Sequence, residues 1–134
     1  MNSPIPHGCS LAEFHTFILS TARNALSWSE TVLEKTSTKA ALDIAATGLF
    51  EIRRVLSDEA ECAESLMSPE EIDNGEPVLE GEYPVILLVS HHALSAAEAL
   101  RLDEEAQDIA LTVITIALRE VVRRLEASQE VGHA

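Results

Sequence analysis

His91 and His92 stand side by side, and they are the first residues in the chain that suggest chemistry. Imidazoles act as metal ligands, general bases or phosphoryl acceptors, and each role demands particular neighbours. A diiron bundle needs Glu-x-x-His on its helices, and that pattern occurs nowhere here. The other histidines, His7, His15 and His133, and the two cysteines, Cys9 and Cys62, show no zinc-ligand spacing. Neither cysteine has a positioned base evident in the sequence. Cys62 lies among Glu59, Glu61 and Glu64, a setting that disfavours a nucleophile and reads as a buried structural cysteine. Gly-x-Ser-x-Gly is absent, and the five glycines are too isolated to cradle a phosphate. No catalytic residue, metal or cofactor is expected, and the chain reads as a non-enzyme.

One stretch has a partial likeness to a known family. His92-Ala-Leu-Ser-Ala-Ala97 resembles the His-x-Leu-Lys-Gly-Ser/Ala stretch of histidine phosphotransfer domains, which are acidic helical proteins of about this size. The resemblance implies His92 as phosphoryl acceptor. It covers six residues, and the family's Lys and Gly positions hold Ser95 and Ala96. His15 falls on an apolar helix face and reads as a core histidine, hydrogen-bonded to Ser29 or to a neighbouring helix.

Carboxylates are the other chemically loaded group. The net charge is -14, from 23 acids against 9 bases, so the chain repels nucleic acid and anionic membranes and suits a basic protein partner. Between Asp58 and Glu82 there are ten acids and no Lys or Arg. Within that run Glu64, Glu70, Glu71, Asp73, Glu76, Glu80 and Glu82 are the candidate partner-binding surface. Docking of a basic protein is one expectation. Mimicry of nucleic-acid phosphates, inhibiting a nucleic-acid-binding protein, is the alternative, although mimicry needs the acids held on a rigid surface.

These residues must be positioned by helices. Aromatics are sparse (Phe14, Phe17, Trp28, Phe50, Tyr83), so the core is aliphatic and Ala-rich, which favours helix-on-helix packing. Residues 1–9 read as a tail holding Pro4, Pro6 and Gly8, with neither the basic start nor the apolar run of a signal peptide. Ser10-Leu-Ala-Glu13 matches a capping box. At about 100° per residue, Leu11, Phe14, Ile18, Ala22, Ala25, Leu26, Val32 and Leu33 share a face, predicting a helix over 11–35. Thr36-Ser37-Thr38 signals a turn and cap. A second helix is expected over 39–67, with Gly48 in mid-stripe permitting close helix approach. A kink near Ser57 would swing Glu59 outward.

Asn74-Gly75, Pro77 and Gly81 make the next stretch a long acidic connection. Pro84 opens a third helix. A strand over 83–90 is rejected for want of a partner strand, and Ser90, His91, Ser95 and Glu98 form the third helix's polar strip. Asp103 caps a fourth helix, with Glu104, Glu105 and Asp108 at its positive end. That helix is apolar around most of its circumference. Leu111, Ile114, Leu118 and Val122 are the expected association face, for a homodimer or for a partner's amphipathic helix.

The fold class expected is all-α: an antiparallel four-helix bundle over residues 10–128, with a long acidic connection between helices 2 and 3 and a C-terminal tail over 129–134. The expected function is protein–protein binding, as adaptor, chaperone or inhibitor. Two free thiols and the absence of a membrane span point to the cytoplasm.

Overall fold

The computed structural model describes residues 11–65, 68–70, 79 and 81–132. Four helices carry the fold: α1 (Leu11–Lys35), α2 (Thr38–Ser65), α3 (Tyr83–Arg101) and α4 (Gln107–Gly132), with a 3-10 turn at Glu104–Ala106 leading into α4. No strand occurs among the described residues, and residues 83–90, where a strand was the rival, are helical. No described helix is long and apolar enough to cross a membrane. The proposed capping box at Ser10, and Glu71, Asp73, Glu76 and Glu80 of the acidic run, lie outside the described residues.

Local chemistry sets the helix ends. The Ser37 Oγ accepts from the Ala40 backbone N–H at 3.1 Å, satisfying one of the orphan donors at the start of α2. The Asp103 carboxylate does the same for Glu105 N–H at 2.9 Å. Pro84 occupies the first turn of α3, where its missing N–H costs nothing. Gly81, just before it, takes a left-handed φ of +64°, which glycine adopts without a Cβ clash. At the other end α4 continues to Gly132, past the expected boundary at 128, because neither proline nor a reversed backbone interrupts residues 129–131.

The helices alternate in direction. His15, near the start of α1, bonds to Leu125, near the end of α4. Arg101, closing α3, pairs with Asp43 near the start of α2 at 2.8 Å. α1 packs against α2 and α4, and α3 packs against α4 and α2. α2 and α4 also meet across the centre, so the bundle has a short diagonal. One aliphatic core runs through it, with Ile18, Leu49, Ile52, Leu56, Ile86, Ile114, Leu118 and Leu125 almost fully buried. Leu33, expected on the apolar face of α1, is instead 44% exposed. The α1–α2 approach is close at Gly48. A Cβ built there would meet the Ala25 Cβ at 2.5 Å.

Two polar residues are in the core against expectation. Ser90 is wholly buried rather than on a polar strip, and its hydroxyl donates to the Ile86 carbonyl at 2.7 Å. That bond to the preceding turn lets a serine occupy an apolar position. Glu59 is 3% exposed. α2 runs unbroken from Thr38 to Ser65, so no kink swings this carboxylate outward, and its place on the stripe carries it inside. Ser29, also buried, donates to the Leu26 carbonyl in its own helix.

A buried carboxylate is costly where a shape-matched apolar side chain would fit. Glu59→Met is expected to raise stability by about 1–3 kcal/mol, read as a higher denaturant midpoint at unchanged slope. A lower midpoint would show that the carboxylate holds a partner the apolar side chain cannot replace.

Candidate functional site

The α2–α3 seam is open along part of its length. Between these helices lies a groove of about 750 Å³. Leu42, Ala46 and Phe50 supply its apolar wall from α2, and Leu94 and Ala97 supply the wall from α3. Phe50 follows Leu49 and precedes Ile52, both fully buried, so it projects away from the core and is 47% exposed. Charged residues rim the groove: Asp43 and Arg53 on α2, Glu98 and Arg101 on α3. The Arg53 guanidinium sits over the Phe50 ring, 4.9 Å from its centroid, within cation–π range. Arg101 reaches across the groove end to Asp43 and lies 3.9 Å from Glu98.

The residues singled out in the sequence are scattered around this groove. His91 and His92 are both exposed on α3, their rings 5.9 Å apart and edge to face. The Lys and Gly positions of the phosphotransfer pattern hold exposed Ser95 and Ala96, so that turn carries no positive charge for a phosphoryl group. His15 is a structural histidine. Its Nε2–H donates to the Leu125 carbonyl oxygen at 3.0 Å, across to a neighbouring helix rather than to Ser29. A carbonyl only accepts, so this bond places the proton on Nε2. Cys62 is half-buried rather than enclosed. Among the described residues, no group of three or more His, Cys, Asp or Glu could hold a metal ion.

Three of the seven acids proposed as a partner-binding surface are described. Glu64 and Glu70 are exposed. Glu82 is not free for a partner: its carboxylate accepts from Arg124 Nη1 at 2.7 Å and ties the start of α3 to α4. Arg124 also donates to Glu120 at 2.7 Å, and Arg123 donates to Glu120 through Nε at 2.9 Å. These guanidinium bonds, Arg123's foremost, lower the Glu120 pKa to about 2. Glu82 and Glu120 therefore belong to an ion-pair cluster inside the monomer.

The expected association face needs correction. Leu111, Ile114 and Leu118 are buried in the chain's own core, and Val122 packs half-buried against it. Turning α4 by half a circle exposes a different pair, Ile109 at 56% and Ile116 at 58%. α4 is apolar on both sides, and α1, α2 and α3 together cover the side that carries Leu118.

Compared with protein-family models, curated proteins and solved structures, the chain matches none. The groove's chemistry thus has to be read from its own residues. The groove depends on how α2 and α3 are spaced, which the residues of either helix alone do not record. The available signal was Phe50 itself, a large aromatic on the far side of α2 from its apolar stripe.

Proposed function

We propose that the chain is a non-enzymatic binding module that receives an apolar helical segment of a partner protein between α2 and α3. The observation that carries this reading is the α2–α3 groove, with aliphatic walls, a half-exposed phenylalanine and a rim of charged residues. A pocket of this size is within the range of sites that hold compact ligands, and its place between two helices suits the helix-in-groove mode. The net charge of -14 favours a basic segment. Adaptor, chaperone and inhibitor are all uses of such a groove. Nucleic-acid mimicry draws less support, since Glu82 of the proposed acidic surface is engaged by Arg124 within the chain.

A synthetic amphipathic Leu/Lys helix serves as the probe. Titration by calorimetry is expected to show binding, and backbone amide shifts should map to Ala46, Phe50 and Leu94. Phe50→Asp removes the aromatic anchor and should weaken binding by about tenfold or more, with the thermal melt unchanged because the side chain is half-exposed. Equal binding by both proteins, or shifts confined to other faces, would end this reading.

A further inference from the structure

α4 presents a second feature, on the side away from the core. Glu105, Ile109, Thr112, Ile116, Arg119 and Arg123 are all exposed, and they follow one another at alternating intervals of four and three residues. That is the a/d spacing of a coiled-coil seam. The stripe begins at Glu105 in the 3-10 turn, and its part on α4, from Ile109 to Arg123, runs about 21 Å at 1.5 Å per residue. Its centre is apolar, with Ile109 and Ile116 each more than half exposed. Its start is acidic, with Glu105 beside Glu104 and Asp108, and its last two positions are the arginines Arg119 and Arg123, flanked by Glu120. In a chain with only 9 bases against 23 acids, Arg119 and Arg123 stand together on this stripe, and Arg123, which also bonds Glu120 within the chain, keeps a side chain 65% exposed.

We infer that this stripe is a homodimer seam, in which α4 pairs antiparallel with α4 of a second copy. A two-fold axis beside the middle of the stripe makes the surface its own complement. It sets Glu105 of one protomer opposite Arg123 of the other, twice, and it sets Ile116 against Thr112. Ile109 then lies along the aliphatic stem of Arg119, which suits an amphipathic arginine. Parallel pairing would instead place Arg123 over Arg123 and Glu105 over Glu105. The antiparallel arrangement also opposes the two helix dipoles. Charge complementarity thus selects both the occupant, a second copy of this chain, and its direction. One helix face is small beside the ~1,200–2,000 Å² that stable interfaces bury in total, so the dimer is weak and concentration-dependent. It weakens further with salt as the end charges are screened. The seam lies on a different face from the α2–α3 groove, so either reading can fail without the other.

Sedimentation equilibrium of the full chain, up to millimolar protein at low salt, tests this. The average mass should climb from 14.5 kDa toward twice that value. Ile116→Asp should weaken association about tenfold or more while leaving the helical melt of the dilute protein unchanged. Glu105→Arg and Arg123→Glu should each weaken it, and the two together should restore it. A strict monomer throughout would overturn the proposal. So would a dimer insensitive to Ile116→Asp, a dimer abolished by Phe50→Asp instead, or a charge swap that fails to restore association.

Discussion

Leu118→Ala is expected to destabilise the protein by about 2–5 kcal/mol, while Ile116→Ala, two residues away on the same helix, shifts stability of the dilute chain by about 0.5 kcal/mol or less. Leu118 has no exposed surface and lies in the aliphatic core, whereas Ile116 is 58% exposed. Truncating Leu118 removes buried apolar area and leaves a cavity that the surrounding α-helices close only in part. Truncating Ile116 removes contacts mostly with water. Thermal melts of the two variants at low protein concentration make the comparison. Equal losses would mean that α4 is rotated from the orientation described, and both the core and the dimer seam would have to be redrawn.

Gly48→Val is the second large effect, expected to cost about 3 kcal/mol or more. Helix propensity alone favours replacing glycine, by about 1 kcal/mol for alanine. Packing opposes it more strongly. The new Cβ would meet the Ala25 Cβ at 2.5 Å, and that atom is fixed to the α1 backbone, so no rotamer change relieves the overlap. Overpacking of this kind costs about 1–3 kcal/mol even for one added carbon, and valine adds two more. Gly48→Ala should therefore be destabilising despite its propensity gain. Ala25→Gly should rescue part of that loss, giving a coupling energy of the kind seen for residues in contact. Denaturant unfolding of the two single variants and the double variant measures it. Additive losses would show that α1 and α2 are farther apart than described.

Much of this architecture was legible in residue types and spacing. Ser37, Pro84 and Asp103 mark helix starts through local hydrogen bonding and backbone restriction, which need no tertiary context. Gly48 in mid-stripe signalled close helix approach for the same local reason. What stayed hidden depended on partners distant in sequence. α4 is apolar on nearly every side, so rotation in 100° steps finds no preferred face, and only the positions of α1, α2 and α3 select the side bearing Leu118. Ser90 looked polar and was read as outward, and Glu59 interrupts the apolar stripe in a way that a kink at Ser57 would have relieved. Yet Ser90 satisfies its hydroxyl within its own helix, and Glu59 is carried inward by an unbroken α2. Glu82 looked like a docking acid because its partner, Arg124, is far along the chain. The groove is likewise a property of how α2 and α3 are spaced, which neither helix records alone.

The placement of the chain's two bulkiest aromatics has an optical consequence. The sole tryptophan, Trp28, is 62% exposed, while the sole tyrosine, Tyr83, is buried at the start of α3, where burial raises its phenol pKa. The indole already senses water in the native state, so its emission carries little information about the core. Tyr83 is the better reporter of the core, its near-ultraviolet dichroism sensing the packing of α3 and its ionisation shifted upward by burial.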